Sequence, residues 1–88
     1  MKLLIAILRD QDTERVVQAL VIAGFRVTRV ASTGGFIRRG SSTIMVGLEE
    51  SQIDLAYQSI RDHLSPSDDP ISKRATLFVL NVAEFSQV

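Results

Sequence analysis

Cysteine is missing from all 88 residues, which excludes disulfides and thiolate metal centres. Histidine occurs once, as His63, and a zinc or iron site needs several nitrogen or sulfur ligands, so no metal site is expected. The same scarcity speaks against an enzyme. There is no thiol nucleophile, His63 has no obvious nucleophile beside it, and the carboxylates fall on caps and loops. Long apolar runs are also lacking. Met1 to Leu8 is too short for a signal segment or a membrane span, and Asp10 and Asp12 follow at once. A cytoplasmic protein without membrane insertion is the expectation. Net charge is absent too, with 10 basic against 10 acidic side chains. General nucleic-acid binding, which needs many phosphate contacts, is therefore not expected. Repeats, low-complexity tracts and linkers do not occur, so residues 1–88 read as one domain.

The charge that is present is unevenly spread. Residues 26–43 carry Arg26, Arg29, Arg38 and Arg39 and no acid, whereas residues 49–70 carry six acids against Arg61 alone. A local patch of four arginines suits one small anion. It equally suits solvated charges paired across the subunit.

In chain order, Lys2 to Leu8 is a continuous apolar run, as in a strand buried on both faces. Asp10 or Asp12 can cap the helix that follows, over residues 13–23, with Val16, Val17, Leu20 and Ala23 on one face. Gly24 stands where a left-handed C-terminal residue is wanted. A second strand over 25–31 sets Arg26 and Thr28 opposite Phe25 and Val27; Arg29 then lands on the apolar face, which suggests a bulge. A third strand over 42–48 groups Ile44, Val46 and Leu48, with Met45 and Gly47 opposite. The second helix, over 49–64, carries the stripe Ile53, Ala56, Tyr57, Ile60 and Leu64, with acids at its positive end. Ser65 to Pro70 forms an acidic loop, Ala75 to Val82 a fourth strand, and Ala83 to Val88 a short tail.

The order β-α-β-β-α-β predicts an α+β ferredoxin-like sandwich, a four-stranded antiparallel sheet with both helices on one face. Two helices cover only one sheet face. Strands one and four are apolar on both, so either Leu4, Ala6 and Leu8 or their alternates would be left wet. Each such side chain is worth roughly 1.5–3 kcal/mol when buried, and monomers rarely tolerate so large a patch. A second sheet, most simply from identical subunits, is expected to cover it.

Between strands two and three lies Ala31-Ser32-Thr33-Gly34-Gly35-Phe36-Ile37-Arg38-Arg39-Gly40. Adjacent glycines allow bare backbone N–H groups to approach a ligand, the arginines supply positive charge, and Phe36 supplies a π-face. That is an inventory for holding a phosphate and stacking a base. A strained turn with a solvated basic rim has the same composition.

Further residues point to a family. Lys2-Leu3-Leu4-Ile5-Ala6-Ile7 with Asp10-Gln11-Asp12, Phe25-Arg26-Val27-Thr28, Ser32-Thr33-Gly34-Gly35-Phe36-Ile37-Arg38, Gly47, and Ala75-Thr76-Leu77-Phe78-Val79-Leu80 together resemble the PII-like cyclic-di-AMP receptors of the PstA/DarA type. The resemblance implies a homotrimer of ferredoxin-like subunits that binds nucleotide between neighbours and signals to a target protein. It implies ligand contacts at Arg26, Thr28, Gly34, Gly35, Phe36, Ile37, Gly47 and Phe78, with the arginine and backbone N–H groups on phosphate and the phenylalanines on adenine. Ser41 is a further expected contact, offering a short hydroxyl where the family usually has an asparagine amide. Between the second helix and the last strand the family has a long Gly/Pro-rich loop, where this chain has only Ser65 to Lys73, including Asp68 and Asp69. The expected ligand is cyclic-di-AMP or another adenine nucleotide, with no cofactor besides. The alternative is a structural PII-like trimer that has lost nucleotide binding.

Overall fold

The computed structural model describes residues 1–30, 40–66 and 74–88. In order these form β1 (Lys2–Arg9), α1 (Asp10–Ile22), β2 (Val27–Val30), β3 (Ser41–Leu48), a 3-10 turn (Glu50–Gln52), α2 (Ile53–Arg61) and β4 (Ala75–Asn81). The strands make one sheet in the order β2-β3-β1-β4, with every neighbouring pair antiparallel. This is the ferredoxin-like α+β arrangement expected from the element order. Among the described residues no helix is long and apolar enough to cross a membrane.

Period-two alternation decides the two sheet faces. Leu4, Ala6 and Leu8 of β1 and Ile44, Val46 and Leu48 of β3 turn to the helices. There they meet Val16 and Leu20 of α1 and Ala56 and Ile60 of α2, all essentially without solvent contact. The wet alternates are therefore Leu3, Ile5 and Ile7. Register places Ile5 between Met45 and Phe78, and Leu3 between Gly47 and Leu80. Phe78 and Leu80 are half exposed, so the face opposite the helices is an apolar surface that none of the described residues covers at its centre.

Helix α1 begins three residues earlier than its apolar stripe suggests, because its opening turn is held by side chains rather than by a cap. Arg9 occupies the N-cap position without a side-chain cap bond. Asp10 instead accepts from Ser42 Oγ, and its backbone N–H donates to the Gly40 carbonyl at 2.9 Å. Asp12 is fully buried. Its carboxylate accepts from Arg9 Nε at 3.1 Å, Arg9 Nη2 at 2.8 Å, Arg15 Nη2 at 2.7 Å, the Ser65 backbone N–H at 3.0 Å and Ser65 Oγ. One carboxylate thus ties the end of β1 and the start of α1 to the chain leaving α2. At the other end Gly24 adopts φ +98°, the left-handed turn expected there.

Arg29 needs no bulge. It pairs with Ile44 in unbroken register, and because β2 is an edge strand its guanidinium reaches past the core to Glu14 at 2.5 Å. The second helix is shorter than its stripe. A capping box between Glu49 and Gln52 starts it through a 3-10 turn, and the regular helix closes at Arg61. Leu64 still packs against the core from beyond the helix. His63, past the helix end, sets Nδ1 2.7 Å from the Ser59 carbonyl oxygen and is exposed.

Candidate functional site

The sheet face away from the helices carries a cleft of about 410 Å³ at one corner, where β1 begins, β3 ends and β2 begins. That volume falls within the range of small-molecule sites. Strand register explains its walls. Thr28 opposes Met45, and the same antiparallel step brings Arg26 alongside Gly47. Gly47 in turn opposes Leu3. Arg26, Thr28, Gly47, Met45 and Leu3 consequently share one face and all line the cleft.

Each contribution has a chemical reading. Arg26 is exposed, and no ion pair among the described residues engages it. A guanidinium so placed, with the Thr28 hydroxyl one alternation away, suits an anion such as a phosphate. Gly47 lowers the floor. A Cβ there would lie 3.0 Å from the Met1 side-chain methyl, so the glycine lets that methyl pack close to the strand backbone. Met1 and Leu3 make the rest of the floor apolar.

The remaining wall comes from Val82, expected as the last residue of the fourth strand, and from Phe85 and Gln87 of the expected tail. All three line the same cleft as Arg26. The Val82 backbone N–H donates to the Met1 carbonyl at 3.1 Å, and Lys2 Nζ donates to the Asn81 side-chain oxygen. These bonds carry the antiparallel β1–β4 pairing one residue past Asn81, so the chain leaves the sheet beside Met1. A single exposed phenylalanine among polar neighbours was the only signal available in the sequence.

Of the residues expected at a ligand site, Arg26, Thr28 and Gly47 are brought together. Phe78 lies on the same face two strands from Met45, across Ile5, and does not border this cleft within the subunit. Ser41 pairs with Arg9 at the opposite end of β3, six residues and roughly 20 Å of strand from Gly47. Gly34, Gly35, Phe36 and Ile37 lie outside the described residues, as do Asp68, Asp69 and Lys73. Arg74, which could offset the acidic loop, lines a separate groove of about 260 Å³ between α2 and β4, with Tyr57, Ile60, Arg61, Leu64 and Leu77.

The electrostatics away from the cleft are structural. Burial pushes the Asp12 carboxyl up, but hydrogen bonds from Ser65 and Arg9 and the Arg9 charge outweigh it and hold its pKa below the ordinary value. Glu14 is lowered by its hydrogen bond and charge pairing with Arg29.

Comparison with known proteins adds two findings. Residues 1–76 match the model of the family described as "Cyclic-di-AMP receptor". Among solved structures, the chain is similar to a functionally unknown protein from Pediococcus pentosaceus ATCC 25745, with a TM-score of 0.75 and 28% identity. That match covers 99% of this chain and 96% of the other, so the two agree almost end to end.

Proposed function

This chain belongs to the cyclic-di-AMP receptor family, and on that premise we propose that it is a non-enzymatic signalling protein that binds cyclic-di-AMP or a related adenine nucleotide. The observation that carries the proposal is the corner cleft, where Arg26, Thr28 and Gly47 meet. Phosphate would meet Arg26 by charge-assisted hydrogen bonds, which are about twice as strong as neutral ones. The sites work as parts of a cytoplasmic homotrimer. Support for the assembly comes from the uncovered apolar face of Leu3, Ile5, Ile7, Phe78 and Leu80, which a neighbour's sheet would bury. Ser41 and Phe78 act in the ligand sites of that assembly, together with Gly34, Gly35, Phe36 and Ile37. Ligand then changes the surface offered to a target protein.

Calorimetric titration with cyclic-di-AMP, ATP, ADP and AMP tests this. Binding of at least one at sub-millimolar concentration is expected, and Arg26→Ala should weaken it without melting the assembly. Absence of binding to all four would sink the proposal. A second reading, a structural trimer without a nucleotide site, draws on Ser41 and the short segment from Ser65 to Lys73. It predicts a tight trimer by light scattering and no thermal shift with any nucleotide.

A further inference from the structure

The cleft has one polar wall, Arg26 and Thr28, and one apolar wall built by the chain after β4. Phe85 is the aromatic member of that second wall, yet it is 63% exposed. No other aromatic side chain borders the cleft among the described residues. A phenyl ring held that far into water forgoes most of the free energy that its burial would give. The Val82 N–H to Met1 carbonyl hydrogen bond carries the β1–β4 pairing one residue past Asn81, so the chain leaves the sheet beside Met1 at the cleft, and Phe85 borders it three residues on. Between the two walls, Gly47 adds no side chain to the floor. The result is a slot with a cationic side, a low apolar floor and a π-face.

We propose that Phe85 is the base-stacking residue of this corner site: a purine ring packs against it while the attached phosphate meets Arg26. This rests on the nucleotide reading above and assigns the orientation of the ligand. A planar heteroaromatic ring gains from a phenyl face by stacking, largely irrespective of which base it is. Residues 82–88 are then part of the binding site rather than an appendage.

Three measurements on the full chain test it. Phe85→Ala should weaken AMP or cyclic-di-AMP binding about tenfold or more. The same variant should leave binding of ribose 5-phosphate, which has the phosphate but no base, unchanged. Because the sequence contains no tryptophan, Phe85→Trp supplies a single reporter that should keep affinity and lose emission on addition of the nucleotide. Unchanged affinity in Phe85→Ala, with affinity lost in Arg26→Ala, would overturn the stacking role while leaving the nucleotide site standing. A change of assembly size in Phe85→Ala would overturn it too, marking Phe85 as a packing residue between subunits. If the unaltered chain binds no adenine nucleotide, both this inference and the site reading fall.

Discussion

Replacing Asp12 by alanine should cost more stability than any other single change to a charged residue in the described fold. The carboxylate is fully buried and accepts from two arginines and from the backbone and hydroxyl of Ser65. The Arg15 side chain is 55% exposed, so its pair counts for about 0–1 kcal/mol. Arg9 is 26% exposed and keeps its bond to the Ser65 carbonyl, so only part of its interaction is lost. The Ser65 N–H is left without an acceptor, at about 1–3 kcal/mol. Together with the broken partly buried pair this comes to about 3 kcal/mol. For a domain of this size that lowers Tm by roughly 12–24 °C. Asp12→Asn, which keeps an acceptor for Ser65 but turns an amide towards Arg9, should fall between. The folded pKa of Asp12 is depressed below its unfolded value of about 3.9. Its stabilisation is therefore complete above about pH 4 and is lost as pH falls through the folded pKa. The stability gap between the native chain and Asp12→Asn should be constant from neutral pH down to about 4 and close below it. Urea unfolding followed by circular dichroism, at one fixed chain concentration, measures both. A cost under about 1 kcal/mol for Asp12→Ala, or a gap that persists undiminished at the acid end, would refute the reasoning.

Two further perturbations probe the faces of the sheet. Ile5→Asp, on the uncovered face between Met45 and Phe78, should leave the subunit folded and break the assembly in light scattering; retention of the assembly would contradict the interface. Leu4→Asp, one residue away but 0% exposed, should instead unfold the subunit, because an unpaired carboxylate cannot be buried among Ala6, Val46 and Val79. Gly47→Val should fold, since a β-branched residue suits a strand and the flexible Met1 side chain can give way, yet lose nucleotide affinity at least tenfold by pushing Met1 up into the cleft. Full affinity in that variant would remove Gly47 from the site.

The elements of the fold are readable from local patterns, and the ties between them are not. The continuous apolar run over Lys2 to Leu8 and the alternation in Ser42 to Leu48 suffice to place two strands, and the stripe through Ile53, Ala56 and Ile60 places the second helix. Alternation alone does not say which half of β1 meets the helices. Asp12 reads locally as a cap because its partner Ser65 is 53 residues away. Arg29 reads as a bulge because the sequence does not show that β2 is an edge strand with Glu14 within reach. At the site, Arg26, Thr28 and Gly47 converge because three short-range spacings and one hairpin register determine their face. Phe85 reads as tail because only the pairing of β4 with β1, at opposite ends of the chain, brings the residues after Asn81 beside Met1 and the cleft.

The central claim is that the corner cleft holds an adenine nucleotide. A crystal structure of the full chain grown with saturating cyclic-di-AMP tests it directly. Ligand density is expected against Arg26, Thr28 and Gly47, with a phosphate on the Arg26 guanidinium. An empty cleft at saturating ligand, or density confined to the groove between α2 and β4, would contradict it.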